Sequence, residues 1–308
     1  MRTYIRDFYQ SSLFGYWLIR PFFIIYNYFR FSRYLTARTY IKKRFKRVLG
    51  YDLNLEAPKT FNEKLNWLMI NYKKDVQTTM ADKYLVRNYI KNTIGEDYLI
   101  PLINKFDNAW EITPESLPDY PFILKTNHDS SGGIIVRNKQ SINWKKTKLT
   151  LHRLLQDNYY YNSKEWQYKN IKRCIVVEKL LMNNDGNIPS DYKLHCFNGK
   201  LEFVQVDLER QIEHKRNLYD KEWNFIPCKW KYDNGDKEEK PEAFEEMKNL
   251  AEFLSKDFSY LRVDFYYVNK KIYFGELTFH SEAGTGKFIP ESFDVLFGQK
   301  LDISNLKN

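Results

Sequence analysis

The spacing of polar and apolar positions changes several times along the chain. Residues 11–31, SSLFGYWLIRPFFIIYNYFRF, are dominated by apolar and aromatic side chains and are interrupted by Arg20 and Pro21. After Pro58 the pattern turns amphipathic. In KTFNEKLNWLMINY, residues Phe61, Leu65, Leu68 and Met69 recur at helical spacing, and Thr60 or Asn62 stands where a cap belongs. ADKYLVRNYIKNTIG reads as a second helix that stops at Gly95. YLIPLI is a short strand, followed by the punctuating prolines Pro114, Pro118 and Pro121. PFILKTNH reads as a strand, SSGG as a turn and IIVRN as the returning strand. A long tyrosine-rich helical stretch is expected over 147–170, then a buried strand in RCIVVEKLLM. Residues 192–208 predict a hairpin turning at Asn198-Gly199, and PEAFEEMKNLAEFLSKDF a helix with proline in its first turn. Helices alternating with antiparallel hairpins point to an α+β fold, not to a doubly wound parallel sheet.

The most informative stretch is 261–280, LRVDFYYVNKKIYFGELTFH. Two runs rich in β-branched and aromatic residues flank Asn269-Lys270-Lys271, which predicts a hairpin. A three-residue loop would pair Val268 with Ile272 and so set Asp264 opposite Glu276. Alternation then puts Arg262 on the face of Asp264, and Thr278 and His280 on that of Glu276. Opposed like charges destabilise a sheet unless a divalent cation binds their oxygens. The alternative is a solvated strand face in a different register.

Composition narrows the class without naming an activity. Hydrophobic residues are 43% and charged residues 29% of the 308, as in a globular protein large enough for two or three lobes. A net charge of +10 favours an anionic partner, and 24 Tyr with 22 Phe leave many rings for surfaces and clefts. Three scattered cysteines, Cys174, Cys196 and Cys228, fit a reducing compartment better than a disulfide framework, and no zinc spacing occurs. The N-terminal run lacks a cleavage site and carries Arg20 at its centre, which argues against a signal peptide and a spanning helix. Together with Lys42-Lys43-Arg44-Phe45-Lys46-Arg47 it reads either as a helix lying on an inner-membrane surface or as an arm packed on the protein's own core or a second subunit.

Lys125 precedes Ser130-Ser131-Gly132-Gly133, where glycine would let backbone N–H groups approach phosphate. The spacing is neither a P-loop nor a dinucleotide fingerprint, and a plain tight turn explains it equally well. Glu178 ends the strand CIVVEKLL, where edge backbone groups could meet a base or simply close a buried strand.

Taken in order, KTFNEKLNWL, ADKYLVR, FILKTNHDSSGG, EWQYKN, VVEKLL, DYKLHCFNGK and RVDFYYVNKKIYFGELTFH resemble ATP-grasp ligases of the TupA-like branch. The resemblance covers about 45–290. It implies an ATP-grasp fold, two α+β lobes clasping ATP, with an N-terminal helical arm. The expected divisions are the arm at 1–57, a preceding region at 58–120, a small lid lobe at 121–181 and a C-terminal lobe at 182–308. By the same resemblance Lys83 and Lys125 hold ATP phosphates with Ser131, Gly132 and Gly133. Adenine contacts fall around Glu178, Lys179 and Leu181, and Asp191 and Lys193 lie near the nucleotide. Asp264 and Glu276 bind Mg²⁺. Many members carry Glu-x-Asn at the last position; here it is Glu276-Leu277-Thr278, so Thr278 stands in the third ligand's place. Arg262 matches the arginine that stabilises an acyl phosphate and its tetrahedral successor.

The implied reaction is ATP-dependent carboxylate–amine ligation, joining an amino acid or amine to a uronic acid of a capsule, O-antigen or exopolysaccharide in the cytoplasm. It needs positioning and charge neutralisation more than a nucleophile. Two other classes stay open. A glycosyltransferase using a nucleotide-sugar often carries DxD, a triplet absent from this chain. A non-catalytic module binding anionic ligands or membranes would not need Asp264 and Glu276 opposed beside Arg262. Nucleic acid is not an expected partner.

Overall fold

The computed structural model describes residues 8–9, 12–30, 33–130, 132–208 and 214–306. In chain order the helices α1 (Leu13–Arg30), α2 (Ala37–Leu49), α3 (Phe61–Asn71), α4 (Val76–Ala81) and α5 (Val86–Thr93) come first. Strands β1 (Leu102–Phe106), β2 (Phe122–Thr126) and β3 (Ile134–Val136), helix α6 (Trp144–Gln156) and strand β4 (Ile175–Lys179) follow. Then come β5 (Asp191–Phe197), β6 (Lys200–Leu208), β7 (Lys215–Asp220), β8 (Phe225–Ile226), β9 (Lys229–Trp230) and helix α7 (Phe244–Ser255). The chain closes with β10 (Tyr260–Val268), β11 (Lys271–Thr278), β12 (Phe288–Ile289) and α8 (Ser292–Lys300). Helices and antiparallel sheets together make the α+β class that the pattern predicts. Two compact units divide the chain. The first takes the described residues up to Tyr40, Asp82–Leu85 and Pro101–Leu180; the second takes the rest.

In the first unit the antiparallel sheet runs β1-β4-β2-β3. Phe122, Leu124 and Thr126 of β2 are buried, and Ile123 and Lys125 alternate onto the half-buried opposite face. Leu151 and Leu155 of α6 join Phe122, Leu124, Val136, Ile175 and Val177 in one core. Asn143 caps α6 by accepting from Lys146 N–H at 3.0 Å. The expected helix of 147–170 is shorter than predicted, because the Asn158 side chain accepts from Tyr160 N–H at 3.0 Å. That local bond competes with helix continuation. A short helical turn, Tyr160–Ser163, and a 3₁₀ turn, Trp166–Tyr168, follow.

The second helix of the sequence reading is likewise split. Asp82 accepts from Tyr84 N–H at 2.8 Å and from Leu85 N–H at 3.2 Å. This ends α4 and restarts the chain as α5, so Lys83 sits in a turn and not on a helix.

The second unit is built on a six-stranded antiparallel sheet, β11-β10-β5-β6-β7-β8. Asn198 and Gly199 take positive φ and close the β5–β6 hairpin at the predicted place. One sheet face carries Leu194, Val204, Val206, Val263 and Phe265, all buried, and α7 packs on these strands with Phe244, Met247, Ala251 and Leu254. The other face is graded. One end carries Phe197, Phe203 and Tyr260, whose rings surround Phe61 of α3 at centroid distances of 5.3, 6.2 and 5.4 Å. Farther along the strands that face becomes charged. Thr60 and Glu63 form a capping box at the start of α3, one of the two caps the sequence offered. Helix α8 lies close by: a Cβ on Gly298 would fall 2.1 Å from the Lys59 carbonyl oxygen.

Candidate functional site

The β10–β11 hairpin turns on two residues, Asn269 and Lys270, at φ 51° and 61°. Val268 therefore pairs with Lys271, correcting the expected three-residue loop with Val268 opposite Ile272. The left-handed pair closes a tighter turn whose twist suits the flanking strands. Continued evenly, that register would put Gly275 opposite Asp264. It does not continue. Phe265 pairs with Phe274, and the next pair is Asp264 with Glu276, so Gly275 is left over as a bulge. Its bare Cα suits the site, since a Cβ would come within 3.1 Å of the Asp264 carbonyl oxygen. The opposed carboxylates are present, reached through a shorter turn and one extra residue.

Arg262 lies against both. Its Nε and Nη2 donate to the two oxygens of Asp264 at 2.7 Å each, and Nη2 also donates to Glu276 Oε1 at 2.7 Å. Burial opposes the Arg262 charge, but Asp264 and Glu276 outweigh it and hold its pKa well above the ordinary value. For Asp264, burial wins over the lowering by Arg262 and Lys193 and pushes the carboxyl up to about 6. Thr278 pairs with Arg262 across the strands, and its hydroxyl lies 3.4 Å from Glu276 Oε1.

The charges continue across the sheet. Lys193, opposite Asp264 on β5, reaches Asp264 at 3.3 Å and Asp207 at 3.6 Å, and is hydrogen-bonded to Asp191. Burial works against this ammonium, yet the three aspartates raise its pKa. Arg216 Nε donates to Asp207 at 2.7 Å, and its Nη1 donates to Glu282 at 2.8 Å. Lys231 completes the row with a 2.6 Å bond to Glu282. Burial would raise Asp207, but Lys193 and Arg216 hold it far below the usual carboxylate range. The sequence reading missed Asp207, Arg216, Glu282 and Lys231. Alternation in FVQVDL could have found Asp207, which shares its face with Gln205. Glu282 had no such signal, because it sits at φ 49° in an irregular loop after the hairpin.

The first unit gathers a second group. Lys125 bonds Glu178 at 2.8 Å, both half-buried or buried on the sheet face away from α6. Lys83 N–H donates to the Asn127 carbonyl at 3.0 Å, and its ammonium donates to the Asp129 carbonyl. Lys83 and Lys125 thus flank the same glycine-rich loop. Gly132 and Gly133 have φ 83° and 89°, where side chains are strained. A Cβ on Gly133 would lie 2.8 Å from the Leu124 carbonyl oxygen, whereas one on Gly132 would meet nothing within 4 Å. Such an open backbone suits phosphate. Ser131 lies outside the described residues. Lys179 N–H donates to the Pro101 carbonyl at 3.0 Å, so its amide is already engaged. Leu181 begins the second unit's last segment, which also carries Asp191, Lys193, Arg262, Asp264, Glu276 and Thr278.

Among the described residues no group of three or more His, Cys, Asp or Glu side chains could enclose a metal. A pair of carboxylates with a hydroxyl still fits Mg²⁺, which takes hard oxygen ligands, commonly one or two carboxylates, and leaves its other positions to phosphate and water.

A family model described as TupA-like ATPgrasp matches residues 63–302. Among solved structures, the chain is similar to the ATP-grasp ligase PsnB complexed with a phosphomimetic variant of minimal precursor, Mg and ADP. The identity is 9% and the TM-score 0.41, over 71% of this chain and 58% of that one. It is similar to a D-alanine–D-alanine ligase from Bacillus anthracis complexed with ATP at 16% identity and TM-score 0.41, over 72% of this chain and 62% of that one. A RimK domain protein ATP-grasp from Sphaerobacter thermophilus shows 10% identity and TM-score 0.38, over 73% of this chain and 69% of that one. The chain spans less than two thirds of the length of the first two. No curated protein matches it.

Proposed function

The chain belongs to the TupA-like ATP-grasp family, and on that footing we propose that it is an ADP-forming carboxylate–amine ligase. A substrate carboxylate takes the γ-phosphoryl group of ATP, leaving ADP and an acyl phosphate. An amine nitrogen then attacks the acyl carbon, phosphate leaves, the nitrogen loses a proton, and an amide remains. Lys83 and Lys125 take the phosphates with the Ser131-Gly132-Gly133 backbone, and Lys125 exchanges Glu178 for phosphate. Adenine lies by Glu178, Lys179 and Leu181, with Asp191 and Lys193 near the nucleotide. Asp264, Glu276 and Thr278 hold Mg²⁺, which when bound supplies charge neutralisation to the phosphates. Arg262 stabilises charge on the acyl phosphate and its tetrahedral successor. In this reading 121–181 is the lid lobe, 182–308 the C-terminal lobe, and 1–57 an arm outside the chemistry.

The substrates we propose are a uronic acid of a capsule, O-antigen or exopolysaccharide and an amino acid or amine. A net charge of +10 suits an acidic glycan, and 24 tyrosines offer faces on which sugar rings stack. The place is the cytoplasmic side of an inner membrane, touched through residues 1–50.

The observation that carries the reading is Arg262 held between two directly opposed carboxylates. ADP release from Mg-ATP, screened over uronic acids against amino acids with product mass analysis, tests it. Arg262→Ala is expected to cut turnover far more than ATP affinity. Release of AMP, or a stable phosphosugar as the product, would overturn the ligase mechanism. A glycosidic product made from a nucleotide-sugar without ATP would establish the glycosyltransferase class instead.

A further inference from the structure

Helix α1 wears its apolar side outward. Phe14, Trp17, Leu18, Pro21, Phe22, Ile25, Tyr28 and Phe29 recur at three- and four-residue spacing, so they form one stripe. All are exposed, with Phe14, Phe22 and Phe29 at 72%, 70% and 65%. The opposite side holds Gly15, Tyr16, Ile19, Arg20, Phe23 and Asn27, which are buried or half-buried. That side meets α6 of the same unit. The Tyr16 ring stands edge-on to His152 at 5.6 Å, and Arg20 donates to Gln156 at 3.0 Å. Arg20 also lies 5.6 Å from the ring centroid of buried Tyr16, so the one charge inside the helix is occupied on the protein side. The arrangement inverts that of a helix dissolved in water.

Charge selects the occupant. Within the first unit, from Phe8 to Tyr40, the sequence has four basic residues and no acidic one: Arg20, Arg30, Arg33 and Arg38. A second copy docked here would bring two such segments together without a counter-charge. An anionic lipid surface supplies the counter-charge and the apolar depth at once. Trp and Tyr within the stripe suit the headgroup level. No helix among the described residues is long and apolar enough to cross a membrane, so the contact lies along the surface. We propose that the Phe14–Phe29 stripe of α1 inserts into the interface of an anionic bilayer and carries the whole chain there. The assignment deepens the membrane contact proposed above for residues 1–50, and its failure would leave the ligase chemistry standing, since it concerns a helix outside the catalytic groups.

Flotation of the full chain with vesicles tests it, using phosphatidylglycerol-containing against purely phosphatidylcholine vesicles. The chain is expected to float with the anionic vesicles. The exposed triple change Trp17→Ser, Phe22→Ser, Phe29→Ser is expected to weaken partition by about tenfold or more, because binding scales with buried apolar area. Cys174, Cys196 and Cys228 are buried, so Phe22→Cys can be labelled with bimane. Its emission is expected to shift to the blue on anionic vesicles and to be quenched by brominated lipid. A label on exposed Val76→Cys is expected to do neither. Equal flotation on neutral vesicles, equal quenching at both labels, or unchanged flotation of the triple variant would overturn the proposal. So would a lipid-free dimer that shifts the Phe22→Cys label, which would assign the stripe to a second copy.

Discussion

Asp264 stands opposite Glu276 because Gly275 bulges out of the ladder beside them, and Arg262 bonds both carboxylates at 2.7 Å. Removing that arginine leaves two acids facing each other, one of them almost fully buried. Arg262→Met is expected to cost about 3–5 kcal/mol of stability, the usual penalty for orphaning a buried charge. Urea unfolding measures it. If the pair is the metal site, Mg²⁺ should raise the melting temperature of Arg262→Met more than that of the native chain. No such gain would separate the pair from metal binding.

Lys193 has three aspartates within 4 Å. Lys193→Met keeps the aliphatic bulk and removes the charge, so Asp191, Asp207 and Asp264 lose a shared cation. A loss of about 3–5 kcal/mol is expected in urea unfolding. The double variant Lys193→Met, Asp191→Asn should recover part of it by removing one of the repelling charges.

The two loop glycines make a graded test. Gly132→Ala meets open space and bears only left-handed strain, about 1–2 kcal/mol. Gly133→Ala bears the same strain and also sets its Cβ 2.8 Å from the Leu124 carbonyl oxygen. Its melting temperature should fall further, and calorimetry with a non-hydrolysable ATP analogue should show the larger loss of affinity. Equal effects from the two substitutions would mean that the Leu124 contact does not shape the loop.

Calorimetry also tests Lys125, whose ammonium is paired with Glu178 at 2.8 Å. Lys125→Ala is expected to weaken nucleotide binding by about 1.5–3 kcal/mol, the range for a lost charged hydrogen bond. Unchanged affinity would remove Lys125 from the phosphate site.

Acid should destabilise the second unit before it reaches the usual carboxylate range. Burial lowers His280 to about 3 and holds His195 well below its ordinary value. An unfolded histidine titrates near 6.5, so the unfolded chain binds more protons once pH drops below that point. Stability is therefore full above about pH 6.5 and falls as pH decreases towards 3, by roughly 1.4 kcal/mol per pH unit for each histidine. Asp264, raised to about 6, has the opposite sign between about pH 4 and 6 and offsets part of the loss. Melting temperatures from pH 8 to 4.5 should be level above 7 and decline below 6.5. His280→Gln should flatten the decline.

Phe61, capped by Thr60 and facing the core, was legible in advance because a capping box and a helical stripe are local patterns. The Asn198-Gly199 hairpin and the strand in PFILKTNH were legible for the same reason. The hairpin that opposes Asp264 to Glu276 was also legible as a pair of strands, but its register was reached by a wrong loop. Asn269 and Lys270 turn the chain as a left-handed pair, two residues and not three, and Gly275 absorbs the difference of one. Likewise Asp82 and Asn158 look helical in sequence, while their side chains satisfy nearby amides and end the helices.

Local order in the chain, two to four residues at a time, sets periodicity, caps and turns, and these specified the α+β class and the elements that carry Lys125, Gly132, Gly133, Asp264 and Glu276, whereas Lys83, Lys179, Leu181, Asp191 and Lys193 entered only through the family resemblance. The row from Glu276 through Arg262, Asp264, Lys193, Asp207 and Arg216 to Glu282 draws on β11, β10, β5, β6, β7 and an irregular loop. Arg262 and Asp264 already share one strand face by alternation, but the other members become neighbours only when separate strands pair, because they lie far apart along the chain. The outward stripe of α1 shows the same division. Its composition is plain in the sequence, but the side turned to α6 is chosen by where Tyr16 and Arg20 find His152 and Gln156.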